Sequence, residues 1–198
     1  MKRRVGIFGG TFNPPHIGHV SAAKAFLDQA KLDDLIIMPA FMPPHKEFDS
    51  VVSCEQRLEM CRIAFSEIPG AVVSDLEIAR KGKSYTYLTL EELTSENTEL
   101  YFLCGTDMIL TMDHWKNPDI IFALAKICYI RRENDAEKTV LIEQKCNEYR
   151  SKFSANVLPI DASIIEISSS EIRNDITNAS KHLSEGVIEY ITEAGLYK

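Results

Sequence analysis

The stretch of sequence that decides the fold is residues 5–19, Val5-Gly6-Ile7-Phe8-Gly9-Gly10-Thr11-Phe12-Asn13-Pro14-Pro15-His16-Ile17-Gly18-His19. Its first four residues form a short apolar run that is typical of a buried strand. From His16 to about Ala30, apolar residues recur at three- and four-residue steps, which predicts a helix with one apolar face. The chain thus leaves a strand, crosses a glycine-rich loop and enters a helix. In that arrangement a phosphate can approach backbone N–H groups at the positive end of the helix.

Short apolar runs and helical periods alternate along the rest of the chain. A helix is predicted over residues 53–65, opened by the capping box Ser53-Cys54-Glu55-Gln56. Another, with Asn117 as its N-cap, is predicted to reach about residue 125, and a more exposed helix is predicted over about 137–153. Strands are predicted at residues 5–8, 35–38, 72–73, 100–103 and 127–130.

This alternation indicates the α/β fold class. Because strand–helix–strand units form right-handed crossovers, we expect a Rossmann-like, doubly wound, mostly parallel sheet with helices on both faces. Ligands are then expected beyond the carboxyl ends of the strands. The Pro-rich stretch at residues 39–44 is predicted to be an ordered loop near that edge.

Length and composition set the limits on function. The 198 residues are expected to form one domain, residues 1–198, with a helical C-terminal part at about 168–198. A net charge of −7 argues against general binding of nucleic acid or an anionic membrane, and no apolar run approaches the roughly 18 residues of a membrane span. The basic start Met1-Lys2-Arg3-Arg4 runs directly into the first predicted strand, which is unlike a signal peptide. Five cysteines without a C-x-x-C spacing favour a reducing, cytoplasmic location.

The two histidines of the opening stretch are the first candidate catalytic residues. His16 and His19 are three positions apart, so their imidazoles project from one side of the first helical turn toward the same phosphoryl group. Gly18 lies between them and leaves room for a substrate. A zinc site is the competing interpretation, but no further Cys or His is placed to complete it. The loop residues expected to handle phosphate with them are Gly9, Gly10, Thr11 and Phe12.

A second stretch near the C-terminus reads Ile167-Ser168-Ser169-Ser170-Glu171-Ile172-Arg173. Ser168 can cap a helix, the hydroxyls of Ser169 and Ser170 can bind phosphate oxygens, and Arg173 offers a fork suited to pyrophosphate. Together with His16-Ile17-Gly18-His19, this stretch resembles the nucleotidyltransferase superfamily that carries the T/H-x-G-H motif. By itself it would describe only a capped surface helix with a solvated arginine.

Over nearly the whole chain, the sequence more closely resembles the nicotinate-nucleotide adenylyltransferases. The matching pieces are Gly9 through His16, Met38-Pro39 through Pro43-Pro44-His45-Lys46, Ser84-Tyr85-Thr86, Gly105-Thr106-Asp107-Met108, Trp115 and the serine–arginine helix. The resemblance implies adenylyl transfer from ATP to nicotinate mononucleotide, with Mg²⁺ carried by the ATP phosphates. No carboxylate cluster in the sequence suggests a dedicated protein site for the metal, and a homo-oligomer is left open.

The resemblance also implies roles for individual residues. His16 and His19 would bind the reacting phosphates, with Lys46 and Arg173 as further catalytic residues. The implied ATP contacts are His45, Gly105, Asp107 and Arg132. The implied nicotinate-nucleotide contacts are Tyr85, Thr86 and Trp115.

Several of these residues have plainer interpretations. Lys46 can be an ordinary loop lysine, Asp107 can simply cap the helix that follows it, and Trp115 can belong to the core. The sequence also departs from the family pattern, with Asn13 where an acid is common, Leu88 where an acid is common, and Glu133 where proline is usual.

Three other functions share part of these sequence features. A phosphopantetheine adenylyltransferase or a cytidylyltransferase would share the two phosphate stretches but not Ser84-Tyr85-Thr86 or Trp115. A synthetase would need a tRNA-binding domain, for which the chain has no room. A non-catalytic nucleotide sensor is disfavoured because His16, His19, Lys46 and Arg173 are all present.

Overall fold

A computed structural model of the protein describes residues 2–44, 52–131, 136–162, 165 and 167–197. Six parallel strands form one sheet in the order β3-β2-β1-β4-β5-β6. The strands are β1 (Arg3–Gly10), β2 (Asp34–Pro39), β3 (Ala71–Val73), β4 (Thr98–Cys104), β5 (Ala125–Arg131) and β6 (Val157–Asp161). The five predicted strands and the parallel sheet are therefore confirmed.

Helices connect the strands and cover both faces of the sheet. Those before β5 are α1 (Ile17–Gln29), α2 (Cys54–Phe65), α3 (Leu76–Arg80), α4 (Thr86–Leu93), α5 (Thr106–Ile109), a 3-10 turn (Met112–His114) and α6 (Pro118–Leu124). Those after it are α7 (Ala136–Phe153), α8 (Ser169–Asn174), α9 (Ile176–Ala179), a second 3-10 turn (Ser180–His182) and α10 (Glu185–Glu193). None of these helices is long and apolar enough to cross a membrane.

Two hydrophobic clusters lie on opposite faces of the sheet. On β4, Phe102 belongs to a cluster that includes Leu90 of α4 and Tyr149 of α7. Its neighbour Leu103 points the other way, into a cluster with Phe26 of α1 and Phe65 of α2. Alternate strand residues are thus buried on opposite faces, as expected for a doubly wound sheet.

A third cluster joins the C-terminal helices to α2. Met60 of α2 is buried together with Ile172 of α8 and with Val187 and Ile191 of α10. Close contact depends on Gly186, since a Cβ there would lie 2.8 Å from the Ile63 side chain. The C-terminal helical part therefore shares a core with α2.

The order of strands reverses its direction at β1. From β1 the chain moves to β2 and β3 on one side, and then returns so that β4 pairs with the other side of β1. Ligands of doubly wound sheets bind outside the carboxyl ends of the strands at such a reversal. Here that place is bordered by the loop after Gly10 and the loop after Cys104.

Two local features differ from the sequence-based expectations. Strand β6 was not predicted, because only Val157 and Ile160 of its five residues are buried and Pro159 lies within it. Asn117 occupies the N-cap position of α6 as predicted, but its side chain makes no capping hydrogen bond. Its φ of 51° lies in the left-handed region, which Asn tolerates better than most residues.

Candidate active site

The loop after β1 turns sharply at Phe12, whose φ is 48°. This turn places the Phe12 ring in the core, edge-on to Phe8 at 5.4 Å and to Phe65 at 5.7 Å between ring centroids. Gly10 allows the turn, since a Cβ there would lie 2.9 Å from the Phe12 ring. Phe12 was predicted as part of the phosphate site, but its side chain points into the core. Only its backbone is left for a phosphate.

The two histidines face one another at the start of α1. Their ring centroids are 3.7 Å apart, and the backbone N–H of His16 donates to Nδ1 of His19 over 3.1 Å. Because Nδ1 accepts, the proton of a neutral His19 lies on Nε2, which is then a hydrogen-bond donor. His19 thus holds the first turn of the helix and presents an N–H from its far side.

The His16 side chain is buried at the N-cap of α1, and the glycine two positions later makes room for it. A Cβ on Gly18 would lie 3.0 Å from Nδ1 of His16. Gly18 was predicted to leave space for a substrate. The structure shows that it leaves space for the His16 ring.

The serine–arginine stretch lies directly against the β1 loop. The Ser169 hydroxyl donates to the Pro14 carbonyl over 2.9 Å, and the Arg173 guanidinium donates to the Asn13 carbonyl over 2.8 Å. Arg173 also donates to the Ser170 hydroxyl over 3.1 Å. Two stretches that are more than 150 residues apart in sequence are therefore joined at one edge of the sheet.

Helix α8 begins with the predicted serine cap. The Ser168 hydroxyl accepts from the N–H of Glu171, and the Glu171 carboxylate accepts from the N–H and the hydroxyl of Ser168 over 2.7 Å. These hydrogen bonds lower the pKa of Glu171. The Ser168 side chain is therefore used in capping, whereas Arg173 lies exposed one turn further along the helix.

Asn13, where the family commonly has an acid, is buried beneath the same loop. Its side-chain oxygen accepts from the Tyr197 hydroxyl over 2.5 Å. Asp would offer an acceptor at the same place, so the departure is physically conservative. Burial raises the pKa of Tyr197, which keeps its hydroxyl protonated as a donor.

The loop after β4 lies across the strand reversal from the histidines. Gly105 is the N-cap of α5, and a Cβ built on it would meet nothing within 4 Å, so this side of the backbone is open. The Asp107 carboxylate is 88% exposed and pairs with Lys138 of α7 at 3.0 Å. It follows that Asp107 is not the N-cap residue that the plainer interpretation proposed.

Tyr85 and Thr86 form the start of α4. Tyr85 is the N-cap and Thr86 the first helical residue, and both are half-buried. The backbone N–H groups of a first helical turn have no partners within the helix. This helix start therefore offers hydrogen-bond donors, together with the Thr86 hydroxyl.

Trp115 follows the 3-10 turn after α5. Its indole is half-buried and packs edge-on against Phe102, with ring centroids 6.2 Å apart. The turn is held from behind by the buried Tyr149, whose hydroxyl donates to the Ile109 carbonyl over 2.8 Å and to the Asp113 carboxylate over 3.0 Å. One part of Trp115 thus belongs to the core, while another part is accessible.

Asp113 in this turn stays ionised. Its burial works against the charge, but hydrogen bonds from Lys145 and Tyr149 outweigh it and lower its pKa. Lys145 lies 2.8 Å from the carboxylate. The segment that carries Trp115 is therefore tied to α7 by an ion pair as well as by Tyr149.

Four residues singled out in the sequence lie outside the described part of the chain, and one relevant residue was not predicted. His45, Lys46, Arg132 and Glu133 lie outside the described residues. Sequence reasoning missed Arg57, whose guanidinium donates to the Thr11 carbonyl over 2.8 Å. The available signal was an arginine among Cys54, Leu58 and Cys61 on the apolar face of a predicted helix.

Within the described ranges, no group of three or more His, Cys, Asp or Glu side chains is arranged to hold a metal ion. In that part of the chain, no third side chain of these types therefore joins His16 and His19 in a metal-binding arrangement. The pair begins α1 directly after the β1 loop, and α8 contacts that loop through the hydrogen bond from Ser169 to the Pro14 carbonyl.

A doubly wound sheet whose strand order reverses at β1, with the His16-Ile17-Gly18-His19 stretch and the serine–arginine stretch brought together at its carboxyl edge, is the arrangement of the nucleotidyltransferase class. The family model described as Cytidylyltransferase-like matches residues 7–175. The chain is 38% identical over 200 residues to a protein named probable nicotinate-nucleotide adenylyltransferase from Clostridium botulinum, covering 99% of this chain and 98% of the relative. A protein of the same name from Listeria monocytogenes is 34% identical over 199 residues, covering 100% and 98%. The chain belongs to the nicotinate-nucleotide adenylyltransferase family.

Solved structures share the fold. A Plasmodium falciparum nicotinic acid mononucleotide adenylyltransferase complexed with APC aligns with a TM-score of 0.76 at 20% identity, covering 98% of this chain and 97% of that one. The same protein complexed with NaAD aligns with a TM-score of 0.75 and the same identity and coverage. At this identity the likeness establishes the fold.

Proposed function

We propose that the protein transfers the adenylyl group of ATP to nicotinate mononucleotide, giving nicotinate adenine dinucleotide and pyrophosphate in NAD biosynthesis. The observation that carries the proposal is the joining of the two phosphate stretches. Ser169 and Arg173 donate to the carbonyls of Pro14 and Asn13, which lie three and four residues before the start of α1. Family membership supplies the pyridine mononucleotide as acceptor.

The reaction is a direct displacement at phosphorus. A phosphate oxygen of the mononucleotide attacks the α-phosphorus of ATP, a new P–O bond forms, and the bond to the bridging oxygen breaks, so that pyrophosphate leaves. A phosphate monoester is already nucleophilic, so the protein is not required to supply a covalent nucleophile. Its work is to position two anions and to stabilise the charge that develops as pyrophosphate leaves.

In this proposal, the histidines and Arg173 do that work. The Nε2–H donor of His19 and the His16 ring lie at the start of α1, where the helix end itself favours negative charge. Arg173 keeps the part of its planar fork that is not bonded to the Asn13 carbonyl and the Ser170 hydroxyl. A guanidinium suits the oxygens of a departing pyrophosphate because it can donate two parallel hydrogen bonds. Lys46 and His45 complete the phosphate contacts in this proposal, and Arg132 is assigned to ATP.

Each nucleoside has its own end of the site. The ribose of ATP is assigned to Gly105 and Asp107, where the backbone is open and a carboxylate is exposed. The pyridine ring is assigned to the start of α4 at Tyr85 and Thr86, with Trp115 stacking on the ring. An aromatic face attracts a cationic pyridinium.

Magnesium enters the proposal with ATP. Mg²⁺ keeps several of its waters and is commonly bound through substrate phosphates with few protein carboxylates. When bound, it would neutralise charge on the leaving pyrophosphate. We place the protein in the cytoplasm, where ATP and the mononucleotide are both present.

The test is release of pyrophosphate by the purified protein with ATP, Mg²⁺ and a panel of phosphorylated acceptors. The panel contains nicotinate mononucleotide, nicotinamide mononucleotide and phosphopantetheine, with CTP as an alternative donor. The proposal expects pyrophosphate and dinucleotide in equal amounts with the pyridine nucleotides. Turnover of phosphopantetheine alone, or of CTP in place of ATP, would reject it.

A further inference from the structure

Arg57 of α2 is a wholly buried guanidinium, with 0% of the residue exposed. One of its terminal nitrogens donates to the Thr11 carbonyl over 2.8 Å. The other donates to the carbonyls of Ala40 over 2.6 Å and Phe41 over 3.2 Å. Thr11 belongs to the loop after β1, whereas Ala40 and Phe41 follow β2. One side chain therefore joins the loops that leave two neighbouring strands.

A guanidinium is well suited to this place. Burial lowers the pKa of Arg57, yet arginine stays charged in proteins because its ordinary pKa is so high. Carbonyl dipoles on both sides stabilise that charge. Because the donors are fixed in one plane, the positions of the accepting carbonyls are fixed relative to one another. An ammonium group has no such fixed plane.

The hydrogen-bonded chain continues from Phe41 to the proposed acceptor segment. The backbone N–H of Phe41 donates to the Ser84 hydroxyl over 2.9 Å, and the N–H of Ser84 donates to the Met42 carbonyl over 2.9 Å. The Phe41 residue is thus held through its carbonyl by Arg57 and through its N–H by Ser84. Tyr85 and Thr86 follow Ser84 directly in the chain.

Ser84 is itself held from behind by a buried carboxylate. The Ser84 hydroxyl and the Thr89 hydroxyl both hydrogen-bond to Glu77, the latter over 2.5 Å. Arg80 also donates to the Thr89 hydroxyl over 2.9 Å. The Ser84 end of this series of hydrogen bonds is therefore anchored in α3 and α4. Because Ser84 is held on both sides, a change in the position of Phe41 acts directly on Ser84.

We propose that Arg57 is a positioning residue for the transfer reaction. Through Phe41 and Ser84, it sets the separation between the phosphate loop at Thr11 and the acceptor segment at Tyr85 and Thr86. The inference rests on the proposed function, since the separation matters only if two substrates react between these loops. Reacting atoms must approach to about 3–3.5 Å, and a misplacement of about 1 Å can cost about 100-fold in rate.

The test compares Arg57→Lys with the matched control Arg62→Met. Arg62 lies on the same helix, is exposed, and pairs with Glu59 over 3.1 Å. For Arg57→Lys we expect a fall in kcat of about 10- to 100-fold, with the KM for each substrate changed by less than about threefold. Arg62→Met is expected to match the wild type. A rise in either KM with kcat kept would overturn the proposal.

A second arm removes the other link through Ser84→Ala and through the double variant. If both side chains act through Phe41, their effects on kcat are not additive, whereas additive effects contradict the proposal. Ser84→Ala also decides the matter if Arg57→Lys does not fold, since it too must lower kcat more than it raises either KM. The assay uses whichever acceptor the wild type converts fastest. If the nicotinate assignment is wrong, the acceptor choice of the wild type shows it. If the proposed role of Arg57 is wrong, only the kinetics of the variants show it.

Discussion

Among the single residues of the site, His19 has one structural contact and one proposed catalytic task, and the two can be separated. Its Nδ1 accepts from the N–H of His16 and holds the first helical turn, while its Nε2–H is the group that we propose donates to a phosphate. The short side chain of Asn carries an oxygen near the place of Nδ1 but reaches no further. The two tasks can therefore be tested by one substitution.

We predict that His19→Asn lowers kcat by about 10²- to 10³-fold, the usual cost of losing one preorganised donor. Its melting temperature should stay near that of the wild type, because Asn keeps the acceptor. His19→Ala is the control and should lose both rate and some stability, since it removes the cap as well. Steady-state kinetics and thermal unfolding on the same samples are the measurements. A folded His19→Asn enzyme with near-normal kcat would refute the role of Nε2.

Arg173 also has a structural contact and a proposed catalytic one. Lysine keeps the charge and can reach one acceptor, but it lacks the planar fork. We therefore predict that Arg173→Lys clearly weakens the binding of ATP and has much less effect on the binding of the mononucleotide. Titration of each substrate at saturating concentration of the other measures both effects. Equal weakening of the binding of both substrates would mean that Arg173 acts through its contact with Asn13 rather than through pyrophosphate.

Sequence reasoning found the histidines but missed Arg57 for a physical reason. His16 and His19 interact within one helical turn, so their spacing in the sequence already encodes their geometry. The partners of Arg57 are the backbone carbonyls of Thr11, Ala40 and Phe41, which any residue type supplies. No pattern of side chains therefore marks those contacts in the sequence.

At the scale of secondary-structure elements, the turn that carries Trp115 depends on α7. Tyr149 of α7 is fully buried and donates to the Ile109 carbonyl and to Asp113. Tyr149→Phe keeps the ring and removes only the hydroxyl, which leaves a buried carbonyl without this donor.

We predict that Tyr149→Phe costs about 1–3 kcal/mol of unfolding free energy, the range for an unsatisfied buried group. It should also raise the KM for the mononucleotide, because the segment before Trp115 loses its anchor. Denaturant unfolding measures the first effect and acceptor titration the second. A variant as stable as the wild type would show that the hydroxyl does not hold this turn.

The start of α4 and the turn with Trp115 are expected to act differently on the acceptor. Trp115→Ala should lower kcat/KM for the acid and the amide mononucleotide by similar factors, because stacking does not distinguish the two rings. Thr86→Val keeps the shape but removes a donor, so it should narrow the preference for the acid. The readout is kcat/KM for both acceptors on each variant. A larger change in preference from Trp115→Ala than from Thr86→Val would reverse these assignments.

Most strands were predictable because they carry continuous runs of buried residues, whereas the edge strand β6 does not. Strands β1, β4 and β5 carry runs of buried residues on both faces, and these runs were recognised. The edge strand β6 exposes Leu158 and contains Pro159, so it lacks such a run. Its place in the sheet comes from pairing with β5, which is a tertiary effect.

At the scale of the whole molecule, alternation in the sequence predicted a parallel sheet but not the order of its strands. The order β3-β2-β1-β4-β5-β6 creates the reversal at β1 that brings the loops after β1 and β4 side by side. The serine–arginine helix reaches the same edge because α10 packs on α2. That contact joins apolar surfaces with no distinctive sequence pattern, so the convergence of the site was not predictable from spacing.

In the proposed reaction, this site joins an adenylyl group to an acid-bearing pyridine mononucleotide. A carboxylate offers only acceptors to the donors at the start of α4, whereas the amide brings donors of its own. The most direct measurement is kcat/KM of the wild type for nicotinate and nicotinamide mononucleotide at saturating ATP. We predict a clear preference for the nicotinate form. Equal use of both mononucleotides, or a preference for the amide, would contradict the proposed function.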